Sequence, residues 1–203
     1  MPDYDLDLFV SYTRIGRTRK WIEDTLVPKL AELLELELAR EPRIFVDTQL
    51  DDGGTWPVEL GQRLGSSRVL LALWSKPYRT RRWTVQEFTT MRAREESEGL
   101  RTVAKPHGAI MIAKLHDGET IPSDASIIQT VDLRDYFNPY TTKDSVLNEK
   151  LYDRLSEIAP DLAKMIENVP AFKPEWVNET ANAFYEEFYT AANGQTHPPR
   201  FSI

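Results

Sequence analysis

The run Val69–Trp74 (VLLALW) constrains this chain more than any other stretch. An uninterrupted apolar run of that length, set between Arg68 and Ser75, matches a strand buried on both faces. Such strands occupy the middle of parallel sheets covered by helices. The residues that follow, SKPYRTRRWTVQE, turn polar and basic and then open a helix carrying Trp83 and Glu87. A spacing of four puts both on one helical face, one turn apart. A carboxylate just beyond the carboxyl end of a central parallel strand stands where open α/β sheets bind ligands.

Four further segments read as strands: Leu6–Tyr12 (LDLFVSY), Arg43–Val46 (RIFV), Gly108–Leu115 (GAIMIAKL) and Ser126–Leu133 (SIIQTVDL). Between the first two, Trp21, Leu26, Leu30, Leu33, Leu34 and Leu38 recur at helical spacing from about Lys20. Pro28 predicts a kink or a late start there, and Glu41-Pro42 a stop. Asp47–Thr55 (DTQLDDGGT) reads as an exposed loop. Pro57 opens a short helix to about Leu64. A helix follows over Trp83–Glu98, another over Asp144–Ile158, and Pro160, Pro170 and Pro174 punctuate what comes after it. A last helix is expected over Asn178–Asn193, with Asn178 as N-cap and Gly194 as stop. Strands alternating with helices predict an α/β fold: a flavodoxin-like three-layer sandwich with a five-stranded parallel sheet plus extra C-terminal helices. The expected division is a domain over residues 1–140 and a helical extension over 141–203 packed on it.

The same fold class hosts many chemistries, so the motifs decide. There is no GxxxxGK[ST] phosphate loop, no GxGxxG dinucleotide fingerprint and no GxSxG nucleophile elbow. Trp74 and Leu133 stand where a phosphoacceptor receiver would carry aspartate and lysine. The chain has no cysteine, which removes disulfides and thiol chemistry and suits a reducing cytoplasm. His107, His116 and His197 share no ligand spacing, so no metal site is expected. A net charge of −7 argues against nucleic acid as the partner. No run reaches the roughly 20 apolar residues of a membrane span, and the N-terminus lacks a signal pattern, so a soluble intracellular protein is expected.

Three blocks in order resemble the Toll/interleukin-1 receptor (TIR) domain family: DLFVSYTR, then RIFVDTQLDDGGTWPVEL, then SRVLLALWSKPYRTRRWTVQEF. They look like that family's first strand, its second strand with the BB loop and following helix, and its third strand with a helix opening on Trp-x-x-x-Glu. The likeness covers about residues 3–134, and Thr84 stands where many members carry cysteine. TIR domains include scaffolds that act by TIR–TIR contacts and enzymes that cleave the nicotinamide–ribose bond of NAD+. In the enzymes the glutamate of Trp-x-x-x-Glu is catalytic, which corresponds here to Glu87. The chemistry is consistent with one carboxylate: the bond breaks through an oxocarbenium-like state, and the cationic nicotinamide leaves without a general acid. The resemblance implies NAD+ as substrate and no other cofactor. It further implies assembly with other TIR protomers, a separate sensor protein as trigger, and a role in bacterial defence against phage.

Each residue singled out has an ordinary alternative. Glu87 is otherwise a solvated helix residue pairing with Arg82 or Arg94, and Trp83 otherwise seals its helix on the sheet. Ser11, Tyr12, Thr13 and Arg14 end the first strand; by resemblance they contact ribose and phosphates, with Arg14 on the diphosphate, or they simply cap the loop. Asp47 binds ribose or organises its turn. Gly53 and Gly54 are expected to give the loop hinge freedom, and Trp56, beside Pro57, to anchor the loop to its own domain or to a neighbour. The cluster Lys76, Arg79, Arg81, Arg82 is a solvated surface or attracts an anion. Phe184, Tyr185, Phe188 and Tyr189 form one stripe on the last helix that covers the sheet flank or meets another protomer. The scaffold reading, and a nucleoside-deoxyribosyltransferase reading that the BB-loop likeness disfavours, stand beside the NAD+ nucleosidase reading.

Overall fold

The computed structural model describes residues 3–47, 56–102, 106–116, 121, 125–142 and 145–192, with side chains as far as Glu187. Five strands form one parallel sheet in the order β2-β1-β3-β4-β5. They are β1 (Leu6–Ser11), β2 (Ile44–Val46), β3 (Ser67–Trp74), β4 (Ile110–Lys114) and β5 (Thr130–Asp132). β3 lies at the centre, as its apolar run requires. The sheet order reverses between β1 and β3, which makes the carboxyl ends of these two strands the topological switch point.

Alternation along each strand splits the core into two layers. Leu8, Val10, Val69, Leu71, Leu73, Met111 and Ala113 face α2 (Val27–Leu38) and α5 (Val146–Asn168). Phe9, Leu70, Ala72, Trp74, Ile110 and Ile112 pack with residues of α3 (Trp56–Gly65), α4 (Arg82–Ser97) and α6 (Glu175–Ala192) on the other face. The first helical segment, α1 (Thr18–Trp21), runs into a wide π-turn over Ile22–Leu26 and then into α2. Pro28 near the start of α2 has no N–H to give the preceding turn. The wider turn absorbs the missing bond, so Trp21, Ile22, Leu26 and Leu30 all stay buried.

Three expected boundaries move. The fifth strand shrinks to Thr130–Asp132, because the Ile128 amide turns back onto the Ala125 carbonyl at 3.0 Å. α5 does not stop near Ile158 but continues through Pro160 to Asn168. An internal proline costs about 3 kcal/mol, whereas Leu155, Leu162, Met165 and Ile166 are all essentially buried and each contributes roughly 1.5–3 kcal/mol. Packing wins. α6 begins at Glu175, directly after Pro174, so Asn178 lies inside the helix and is not its cap. Gly194 lies outside the described residues.

α6 is held by two glycines of α3. A Cβ on Gly61 would come within 2.7 Å of the Ala181 Cα, and one on Gly65 within 2.7 Å of the Trp176 carbonyl oxygen. Both obstacles are backbone and cannot rotate away. Gly61→Ala gains up to about 1 kcal/mol of helix propensity, yet overpacking a fixed contact costs about 1–3 kcal/mol. A net loss of stability is therefore expected for Gly61→Ala and for Gly65→Ala, read as a lower urea midpoint. A raised midpoint would mean that the two helices do not pack this closely.

Candidate functional site

Past Trp74 the chain makes a tight turn. The Tyr78 amide donates to the Ser75 carbonyl at 3.0 Å, Pro77–Arg79 form a single 3-10 turn, and α4 starts at Arg82. Thr84, in the first turn of α4, donates its hydroxyl to the Tyr78 carbonyl at 2.6 Å, with the Arg81 carbonyl 3.0 Å away. The threonine that departs from the family pattern thus fastens the turn to the helix. Tyr78 is buried, its ring 5.1 Å from that of Trp74.

On α4, Glu87 is 3% exposed. Its Oε2 accepts from the Ser11 hydroxyl at the end of β1. The same Ser11 oxygen lies 2.7 Å from the Tyr78 hydroxyl. A serine has one proton to give, so with Ser11 donating to Glu87, Tyr78 donates to Ser11. Tyr78, Ser11 and Glu87 form one hydrogen-bonded chain. Burial lifts the Glu87 carboxyl from its ordinary value of 4.5 to about 8, outweighing the Ser11 hydrogen bond; the nearby Asp47 charge adds to the rise and Arg14 opposes it. Burial raises the Tyr78 phenol as well.

The rim of the switch point is a second cluster. Arg14 donates to the Asp47 carboxylate at 2.6 Å and to its carbonyl at 3.0 Å, and the Tyr12 hydroxyl reaches the same carbonyl at 3.1 Å. Burial raises the Asp47 carboxyl, opposed by Arg14, and lifts Tyr12 to about 12. Thr13 is 7% exposed, and its Oγ1 has no hydrogen-bond partner among the described residues.

The structure therefore gathers Ser11 with Glu87 and Tyr12 and Arg14 with Asp47. It sets Trp83 elsewhere: its ring stands edge-on to Trp56 at 4.2 Å and stacks on Phe184 at 6.2 Å. Trp56 is thus tied to its own domain, and Pro57 is buried in the first turn of α3. Arg82 pairs with Glu187 at 2.8 Å, and Arg94 bonds the Ser67 carbonyl at 2.6 Å, so neither neutralises Glu87. Phe184 is core and Tyr185 is exposed. Gly53 and Gly54, and the side chains of Phe188 and Tyr189, lie outside the described residues. Tyr78 was not singled out from the sequence; its only local sign is an aromatic standing in the polar run between β3 and α4.

A parallel sheet whose order reverses between β1 and β3, with a buried acid beside that point, has the layout of an open α/β domain. Residues 8–147 match the TIR domain family, and the chain belongs to it. No curated protein sequence matches the chain. Among the described residues, no helix is long and apolar enough to cross a membrane.

The titration of Glu87 has a measurable consequence. Its folded value lies above its unfolded one, so the native state keeps a proton that the unfolded chain has already released. The contribution is fully present below about pH 4.5 and is lost as pH rises through about 8. Relative to Glu87→Gln, the wild-type chain is expected to lose about 3 kcal/mol of stability between about pH 5 and pH 8. Urea titrations of both proteins at the two pH values measure this; a gap that does not change with pH would show that Glu87 is ionised in the folded state.

Proposed function

We propose that this TIR domain is an NAD+ nucleosidase in which Glu87 stabilises the ribosyl cation as the nicotinamide–ribose bond breaks. The observation that carries the reading is that Glu87, alone among the buried acids of the described residues, has no cationic partner. Asp7 is bound by Arg40, and Glu95 by Arg92 and Arg101; Glu87 has only the Ser11 hydroxyl. A buried carboxyl with a displaced pKa and no structural counter-charge, at the rim where such sheets bind ligands, is a candidate for chemistry. A substrate bearing a cationic pyridinium supplies the missing positive charge. Its field favours the ionised carboxylate, as that of Arg14 does now.

In this reading Ser11 and Tyr78 orient Glu87, and Arg14 and Asp47 face the diphosphate and ribose at the rim. Product formation by water or by cyclisation follows capture of the ribosyl cation. Glu87 is sealed in the single chain, so turnover requires opening, which assembly with other TIR protomers, under a separate sensor, would drive. A cytoplasmic defence role against phage belongs to the same reading.

The same burial favours a second reading, a non-catalytic TIR–TIR interaction module in which Glu87 never meets a substrate. One assay separates the two. Concentrated protein incubated with NAD+ is expected to release nicotinamide, with at least a hundredfold loss for Glu87→Ala. Release that is absent, or equal in the variant, would leave the interaction module. On the catalytic reading, kcat/KM rises with pH toward a plateau above about pH 8, because the ionised carboxylate is the working form and kcat/KM follows the free enzyme.

A further inference from the structure

Glu87 is held at one point. Its Oε2 takes the Ser11 hydroxyl, and no described residue bonds its Oε1. A carboxylate fixed by a single contact depends, for its aim and its charge, on how firmly that donor is committed to it. A serine hydroxyl turns freely and can give its one proton in other directions. What commits Ser11 is Tyr78.

The Tyr78 ring is buried against Trp74, and its backbone is fastened at both ends, by the Ser75 carbonyl and by the Thr84 hydroxyl. Among the described residues the Ser11 oxygen, at 2.7 Å, is the one acceptor its phenol reaches. Burial holds the phenol proton on, well above the ordinary range, so the group stays a donor at neutral pH. A buried hydroxyl left without an acceptor is costly. With the Ser11 oxygen taken by the Tyr78 proton, the Ser11 proton goes to Glu87 Oε2. The reverse chain, from a protonated Oε2 through Ser11 to Tyr78, would leave the phenol proton with no acceptor. The chain therefore runs one way, and it asks for an unprotonated oxygen at its end. The charges that act on Glu87 are Asp47, just past β2, which disfavours the carboxylate, and Arg14, after β1, which favours it. Those two stand together in the separate rim pair.

We propose that Tyr78 is a positioning residue for Glu87: acting through Ser11, it fixes the Oε2 oxygen and favours the ionised carboxylate over the acid. The phenol itself stays clear of any reacting bond, since it is buried and bonded to Ser11. The kinetic consequence rests on the nucleosidase reading, in which the carboxylate is the working form. The effect on the titration of Glu87 does not.

The test is the titration of Glu87 in the whole protein, followed by carboxyl carbon NMR of glutamate-labelled chain and assigned with Glu87→Gln. Tyr78→Phe keeps the ring against Trp74 and removes only the hydroxyl. Its Glu87 midpoint is expected to rise by roughly half a pH unit to one unit, the size of one net hydrogen bond relayed through Ser11. Ser11→Ala is expected to raise the midpoint at least as far, and Tyr78→Phe added to Ser11→Ala to move it no further, because the path is already gone. A midpoint that stays or falls in Tyr78→Phe overturns the proposal, as does a further shift in the double variant. Should Tyr78→Phe fail to fold, 3-fluorotyrosine placed at position 78 decides: it is a stronger donor of nearly the same shape, so the midpoint is expected to fall, and a rise or no change overturns the role. If the chain cleaves NAD+, the pH profile of kcat/KM in Tyr78→Phe moves up with the midpoint, which a merely structural tyrosine would not cause. An unmoved midpoint with nicotinamide release overturns the role of Tyr78 and spares the nucleosidase reading; a moved midpoint with no release from the wild-type chain does the reverse.

Discussion

Everything in this domain hangs on the pairing of β1 with β3. The register runs from Leu6 opposite Ser67 to Ser11 opposite Ala72. It does two things at once. It closes both apolar layers, because Leu8 and Val10 join Val69 and Leu71 on one face while Phe9 joins Leu70 and Ala72 on the other. It also carries Ser11 to the end of β3, where the turn at Tyr78 and the helix bearing Glu87 begin. Ser11 and Glu87 are 76 residues apart in the chain. A slip of one residue would turn Ser11 to the wrong face and bury Asp7 among leucines.

The two ends of β1 show how environment divides acids by role. At its amino end Asp7 is fully buried and accepts two bonds from Arg40 and one from the Arg43 amide, with Arg68 at 3.3 Å. Burial alone would raise its carboxyl; those hydrogen bonds, with the charges of Arg40 and Arg43, win and bring it down to about 2. Glu95, on α4, is satisfied in another way, by the Ala109 and Ile110 amides and two arginines. Both acids clamp the structure through their partners. Among the described residues Glu87 meets only the Ser11 hydroxyl, and desolvation wins there. The same residue type, buried to the same degree, is a clamp where a guanidinium reaches it and is left to desolvation where none does.

Much of this could be read from the chain because it rests on local pattern. VLLALW announced a doubly buried strand, the alternation of elements announced the parallel sheet, and the polar run after β3 placed Glu87 beyond a strand end. What escaped depends on contacts between distant segments. Tyr78 matters only because Ser11 arrives from another strand. Pro160 breaks helices by local rules, and only the layer of side chains over the sheet shows why α5 continues. The glycines of α3 look like weak helix formers until α6 lies across them. Thr84 reads as a missing cysteine, and only the Tyr78 carbonyl beside it gives its purpose.

Two properties of Glu87 bear on each other. Sealed beneath Ser11 and Tyr78, it can touch no substrate; protonated at neutral pH, it could not stabilise a cation if it did. Both states have one cause, the exclusion of water. Any movement that admits water or a cationic ring therefore lowers the carboxyl's pKa as it exposes the group, so opening and ionisation reinforce each other. The short turn Pro77–Arg79 beside Glu87 is held to α4 by the Thr84 hydroxyl and to β1 by the Ser11–Tyr78 bond. A neutral hydrogen bond contributes about 1 kcal/mol net, whereas moving a carboxyl from about 8 back toward its ordinary value yields several kcal/mol. The buried Tyr78 ring on Trp74 adds to the hydroxyl contacts and keeps the site closed in the single chain, so on the nucleosidase reading a cationic substrate favours the ionised carboxylate once assembly gives it access.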